Sequence, residues 1–365
     1  MKICVYAIAK NEIKFVDRWF NSVKEADYVC VLDTGSTDGT FERFKELGVI
    51  TKQKTYEEFR FDVARNDSME LIPQDSDICV CVDIDEFFVP GWTKTLKDNW
   101  KDHTTQARYR YTWNFNPDGS EGVVFLAEKI HKNKLFKWIH PVHEILSPNE
   151  HFENNIIDLP QIQLNHMADN SKSRSSYLPL LELSVKENPL NDRNMHYLGR
   201  EYMFHHRYDE AISTLKKHLI LPTSIWKLER CASMRYIARC YKHKKDKQNQ
   251  EKYLHLALLE DNSTREPYYD LALFYFEEKN YLKSAFMFNE MLKIQTRELN
   301  YMSTPECWGS LPYDYLSMCY YNLKDYKNAI IAVKNAIKIN SNERLINNLK
   351  IFIDKNIQES NQKKT

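Results

Sequence analysis

Residues 76–88, SDICVCVDIDEFF, decide how the first half of the chain is read. Ile78-Cys-Val-Cys-Val82 is a short unbroken apolar run, the pattern of a strand covered on both faces. It ends abruptly in three carboxylates, Asp83, Asp85 and Glu86. Carboxylates crowded at a strand end repel one another and are costly to desolvate unless a cation or a partner balances them. Upstream, strand and helix signals alternate. Ile3–Ile8 reads as a buried strand, and Asn11 can cap a helix whose apolar residues Ile13, Val16, Trp19, Phe20 and Val23 recur at helical spacing. Then come a strand over Tyr28–Leu32, the turn DTGSTDG, a helix through Phe41, Phe44 and Leu47 ending at Gly48, a weak strand at Val49-Ile50, and a helix over 58–72. Such alternation predicts a parallel sheet with right-handed crossovers, whose ligands bind at the carboxyl ends of the strands. Both acidic clusters, DTGSTD and DIDE, fall at such ends.

Bulk properties set the frame. A chain of 365 residues with 42% hydrophobic content can bury a large core and is long enough for two or three domains. Lys plus Arg and Asp plus Glu are balanced at 51 each, so no global field recruits nucleic acid or anionic membrane. The eight cysteines show no CxxC or zinc-type spacing, and Cys79 and Cys81, two apart in a strand, share one face as small core residues. No apolar stretch has membrane-spanning length, and the run before Lys10 is too short for a signal-peptide core. The expectation is a reduced, cytoplasmic protein.

From about residue 170 the strand signals stop. Tyr202, Tyr241, Tyr275 and Tyr320 recur in GREYMF, IARCYKH, ALFYFEE and SMCYYNL. The phrases RYDEAI, NYLKSAF and DYKNAI place Tyr208, Tyr281 and Tyr326 one helical turn before the small residues Ala211, Ser284 and Ala329. A large residue followed by a small one suits close packing of paired helices. These phrases resemble tetratricopeptide repeats, helix pairs of about 34 residues stacked into a solenoid. The tyrosine spacings of 39, 34 and 45 depart from that period, which predicts lengthened loops around 243–250 and 299–311. The boundaries expected are a first domain over 1–169 and a helical repeat domain over 170–365.

AIAKNE at the first strand end, VLDTGSTDGT at the second, ARN at 64–66 and VDIDEF at the fourth together resemble the nucleotide-sugar-binding half of family 2 glycosyltransferases. The resemblance implies an α/β fold of GT-A type, Rossmann-like, followed by the tetratricopeptide-like helices. It implies a metal-dependent, inverting transferase that moves sugar from a UDP-sugar donor to a peptide, protein or glycan acceptor docked on the repeats. The alternative is a repeat scaffold with a degenerate transferase domain. A sugar nucleotide leaves behind a diphosphate whose developing charge a divalent cation can neutralise, and Mn²⁺ or Mg²⁺ accepts the oxygen ligands that a strand-end Asp-X-Asp offers.

By the same resemblance Asp85 binds the metal, Asp83 contacts the ribose or a metal-bound water, and Glu86 supports the next loop. Asp33 reads the base, although Thr34 stands where the family often has a second aspartate. Ala9 and Asn11 line the nucleotide pocket, and Arg65 reaches base or diphosphate unless it forms a surface ion pair. Thr37 or Asp38 caps the following helix. Glu144, in WIHPVHEIL, is the candidate general base; its rivals are Asp118 and Glu121, and its alternative role is to pair with an arginine or lysine that holds the loop. His143 or His166 completes the metal shell. Trp113, Trp138 and Tyr111 either stack on sugar rings or fill the core.

Overall fold

The computed structural model describes residues 1–116, 119–169 and 176–362. Two compact units are present: Met1–Glu187 with Leu299–Tyr301, and Asn188–Glu298 with Met302–Thr365. The first unit contains β1 (Ile3–Ala9), α1 (Ile13–Val23), β2 (Tyr28–Asp33), α2 (Thr40–Glu46), β3 (Ile50–Gln53), α3 (Phe61–Met69), β4 (Ile78–Cys81) and β5 (Glu86–Phe88). It continues with α4 (Trp92–Asn99), β6 (Gln106–Thr112), β7 (Val124–Lys132), β8 (Phe136–Ile139), β9 (Ile145–Pro148), β10 (Ile156–His166) and α5 (Tyr177–Glu187).

An eight-stranded sheet runs in the order β3-β2-β1-β4-β7-β6-β10-β5, and β8 and β9 form a separate hairpin. The β3-β2-β1-β4 half is parallel, as the alternation of strands and helices predicts. Alternate residues face opposite sides: Val5, Ala7, Val31, Ile78 and Val80 join Val16, Trp19 and Phe44 in one core. Cys4, Tyr6, Cys30, Cys79 and Cys81 point the other way, against Ile72 and Trp138. All eight cysteines are buried and free. Beyond β4 the sheet is mixed. β7 pairs antiparallel with both β4 and β6, and β10 runs parallel to β6 with an irregularity between Leu159 and Gln163, where Pro160 has no N–H for the ladder. The far end of β10 pairs antiparallel with β5, setting His166 opposite Glu86. Two segments 80 residues apart in sequence are thereby joined at the strand end that carries the acidic cluster.

The second unit consists of α6 (Asp192–Phe204), α7 (Tyr208–Ile220), α8 (Lys227–His243), α9 (Lys247–Glu260), α10 (Glu266–Glu277), α11 (Tyr281–Lys293), α12 (Leu311–Asn322), α13 (Tyr326–Ile339) and α14 (Glu343–Gln362). The recurring tyrosines close the first helix of each pair. Backbone N–H groups of Arg207, Asp246, Asn280 and Asp325 donate to the carbonyls of Tyr202, Tyr241, Tyr275 and Tyr320, each five residues back. The residue just before each donor, His206, Lys245, Lys279 or Lys324, has φ of 58–62°, which completes a Schellman-type stop. Ala211, Ser284 and Ala329 are fully buried where the paired helices meet. At Gly199 the approach is so close that a Cβ would stand 2.5 Å from Leu215 Cγ.

One expectation is corrected. No long loop lies around 243–250: three residues connect α8 to α9. The extra length is spent on the connector Leu221–Trp226 and on α8 itself, 17 residues long. The lengthened connection near 299–311 is present and holds a short 3-10 turn at Pro305–Cys307. Among the described residues, no helix is long and apolar enough to cross a membrane.

Candidate active site

The carboxyl ends of β1, β2 and β4 and the end of β10 converge on one cluster of polar side chains. Asp33, the last residue of β2, is fully buried. Its Oδ1 accepts hydrogen bonds from the Gly35 and Ser36 backbone N–H groups and from Gln53 Nε2, at 3.0, 2.8 and 2.9 Å. The turn that delivers those amides needs Gly35 at φ +102°. Asp33 Oδ2, by contrast, is buried with no hydrogen-bond partner. A buried carboxylate oxygen left unpaired costs free energy and is an acceptor waiting for a ligand N–H. Thr34 turns its hydroxyl back to the Ala9 carbonyl, 3.0 Å away, so it seals β1 to β2 and does not offer a second carboxylate.

Asn11 does not cap α1. Its left-handed φ of +54° lets Oδ1 accept from the Thr37 N–H while its own N–H donates to Ser36 Oγ, stapling the first strand end to the second loop. Asp38 does the capping for both neighbouring helices. Its Oδ2 accepts from the Ile13 N–H at the start of α1 and its Oδ1 from the Thr40 N–H and hydroxyl at the start of α2. Thr37 takes no such part.

Around the DIDE turn every carboxylate has a separate environment. Asp83 is gripped on both oxygens: Arg65 Nη1 lies 2.8 Å from Oδ1 and Lys129 Nζ 2.8 Å from Oδ2. Burial alone would raise its pKa, but these two cations hold it well below the usual carboxylate range. Glu86, 1% exposed, accepts from the Asp83 N–H at Oε2 and from Tyr111 OH and Lys129 Nζ at Oε1. Burial pushes its carboxyl up. Through the Asp83 N–H it braces the turn. Arg65, from α3, lies over the Trp138 ring and donates through Nε to Glu144 Oε1 at 2.5 Å. Glu144 therefore sits in the ion pair named above as its alternative role.

Asp85 faces His166. The imidazole Nδ1 is 2.8 Å from the Trp113 carbonyl oxygen, which can only accept, so Nδ1 carries a proton and donates. The neutral ring then has its lone pair on Nε2, 3.2 Å from Asp85 Oδ2. Two electron-rich atoms held face to face require a cation between them, a proton or a metal ion, and the carbonyl contact is the outer support that orients a metal-binding histidine. Burial opposes the imidazolium, yet the neighbouring Asp85 side chain raises the His166 pKa above its ordinary value. Among the described residues, no third His, Cys, Asp or Glu places a ligand atom within 4.8 Å of both.

The remaining expected residues are distributed as follows. His143, at φ +52°, packs its ring against Tyr177 with centroids 5.8 Å apart and does not join Asp85. Glu121 is bound by Arg110, Thr112 and Gln163 and serves as a strut of the sheet. Asp118 lies outside the described residues. Trp138 and Tyr111 are core residues, the first donating to Tyr6 OH and the second to Glu86, whereas Trp113 is 39% exposed beside the His166 ring. Lys129 and Gln53 were not anticipated: β3 reads ITKQ and β7 carries Glu128, His131 and Lys132 as well as Lys129, so neither residue stands out from its polar neighbours.

No curated protein matches the chain significantly. Among solved structures, MamA matches with 18% identity over 47% of this chain and 95% of that one, TM-score 0.37. A PilF structure from Pseudomonas aeruginosa matches with 11% identity over 48% and 72%, TM-score 0.37. YrrB, titled a TPR protein with an unusual peptide-binding site, matches with 12% identity over 47% and 79%, TM-score 0.35. Residues 4–149, which contain Asp33, Arg65, Asp83, Asp85 and Glu144, match the family described as glycosyl transferase family 2.

Proposed function

We propose that the chain is a metal-dependent, inverting glycosyltransferase that uses a UDP-sugar, with Asp85 and His166 as the protein ligands of the cation. The observation that carries the reading is the Asp85 Oδ2 to His166 Nε2 contact of 3.2 Å, with the tautomer pinned by the Trp113 carbonyl. Two protein ligands leave the other positions of a six-coordinate ion for phosphate oxygens and water. An imidazole ligand suits Mn²⁺ better than Mg²⁺, which prefers an all-oxygen shell. When bound, such a cation neutralises charge on the departing diphosphate.

The chain's own groups would divide the work. Asp33 Oδ2 accepts the N–H of the base, and Asn11 and Ala9 form the wall of the same pocket through backbone. Asp83 is set for the ribose or a metal-bound water once donor binding draws Arg65 or Lys129 towards phosphate. Transfer is a single displacement. The acceptor oxygen or sulfur bonds to the anomeric carbon, the bond from that carbon to the phosphate oxygen breaks, and its electron pair leaves with UDP. Glu144 takes the acceptor proton on Oε2, because Oε1 is held by Arg65. The stacked helix pairs of the second unit supply an extended surface on which a peptide, protein or glycan acceptor docks.

One observation favours the scaffold reading: both oxygens of Asp83 are already paired, a closed arrangement that a non-catalytic domain would also keep. A screen of UDP-sugars for Mn²⁺-dependent hydrolysis separates the two readings. Release of UDP that disappears in chelator and in Asp85→Asn supports the transferase. No hydrolysis and no UDP binding under any metal condition supports the scaffold.

A further inference from the structure

The second unit contains a polar cluster that the transfer reaction does not use. His196 on α6, His218 on α7 and Glu229 on α8 are 0%, 0% and 3% exposed, and one ligand atom from each lies within 4.8 Å of the others. Glu229 Oε1 is 3.1 Å from His218 Nε2, which is also 3.0 Å from Ser224 Oγ. On the far side, Ser233 Oγ is 3.0 Å from His218 Nδ1 and 2.7 Å from His196 Nδ1. We propose that His196, His218 and Glu229 form a structural site for a divalent transition metal of the zinc class, pinning the first three helices of the repeat unit together.

Three features support it. A carboxylate this deeply buried needs a balancing cation, and its ion-pair partner is His218, a weak and conditional one. Two imidazoles and a carboxylate are a known zinc ligand set, with a water or hydroxyl in the fourth position. With metal–ligand bonds of about 2.0–2.1 Å, neighbouring ligand atoms of a tetrahedral site stand roughly 3.3 Å apart. The His218–Glu229 separation of 3.1 Å and the His218–Ser224 separation of 3.0 Å already approximate two such edges. Ser233 completes the arrangement from outside. Its oxygen can accept from both Nδ1–H groups, which leaves a lone pair on each Nε2 and orients the rings as an outer-shell partner does. The neutral His218 tautomer with its proton on Nδ1, facing Ser233, is the metal-binding form, so no other reactant is needed.

The test uses the full chain carrying Asp85→Asn and His166→Ala, so that the site proposed in the first unit cannot contribute. The protein is stripped with chelator and titrated with Co²⁺ alone. The expected result is one Co²⁺ per chain with the intense visible bands of tetrahedral coordination, displaced by Zn²⁺, and a higher Tm with Zn²⁺ than in chelator. Glu229→Gln, close in shape, should lose the bands; if it does not fold, His196→Gln serves in its place. Absence of tetrahedral bands in the folded parent would overturn the proposal and leave a hydrogen-bond network only. So would undiminished Co²⁺ binding in Glu229→Gln or His196→Gln.

Discussion

Lys129 holds two buried carboxylates, Asp83 and Glu86, with one ammonium group. Lys129→Met keeps the apolar stem and removes the charge, leaving Glu86 with Tyr111 and a backbone N–H only. Loss of one partner from a buried ion pair costs about 3–5 kcal/mol, so urea unfolding should show a loss of that order. A loss below about 1 kcal/mol would mean that the network is more hydrated than its burial indicates. Glu144→Gln tests the proton acceptor. Turnover should fall about 10²-fold or more with UDP-sugar affinity unchanged, and near-normal turnover would eliminate Glu144 as the base. His131 supplies a pH signature. Its ring is fully buried, and burial lowers its pKa from 6.5 to about 4, so the native state keeps it neutral while the unfolded chain protonates it. The stability this represents is complete above pH 6.5 and is lost as pH falls towards 4, roughly 3 kcal/mol in all. His131→Phe should flatten the acid side of the stability profile; an unchanged acid slope would assign it to other groups. Of these residues, Arg65 and Glu144 stood in phrases the sequence made readable. Lys129 did not, because its partners lie 46 and 43 residues away and nothing local distinguishes it from Lys132 in the same strand.

Helices and turns were legible where a local rule governs them. The tyrosine phrases of the second unit revealed a helical repeat, and the structure places each in the last turn of a first helix, before a stop made by backbone five residues on. Each stop places a non-glycine residue at positive φ, at a cost of about 1 kcal/mol that glycine avoids. Lys279→Gly should therefore stabilise the unit by about 0.5 kcal/mol after the added chain entropy of glycine, read as a raised Tm. A lowered Tm would indicate that the Lys279 side chain contributes contacts beyond its turn. The longer spacing between Tyr202 and Tyr241 was misplaced in sequence because a period reports total length, not which element absorbs it. The antiparallel half of the sheet was equally hidden. Nothing in β7 or β10 alone says that β7 inserts between β4 and β6, or that β10 ends against β5. That pairing, not any phrase near residue 166, brings His166 to Asp85.

At the scale of the whole chain, α5 clusters with the first unit: Arg60 pairs with Glu187 at 2.5 Å, and Phe61 meets Tyr177 edge to face. A fragment comprising residues 1–187 should bind UDP as the full chain does while losing transfer to a macromolecular acceptor. Full transfer by that fragment would show that the repeats are not the acceptor platform. The central claim is that Asp85 and His166 hold a divalent cation through which the donor diphosphate is bound. It is tested most directly by the UDP-induced rise in Tm, measured with Mn²⁺ and again with chelator, for the unmodified protein and for Asp85→Asn. A ligand that binds only the native state adds about 2.7 kcal/mol at a hundredfold excess over its dissociation constant. The account predicts a clear shift with Mn²⁺, a small one in chelator from the Asp33 pocket alone, and only the small one in Asp85→Asn under either condition. Equal shifts with Mn²⁺ and with chelator in the unmodified protein would contradict it.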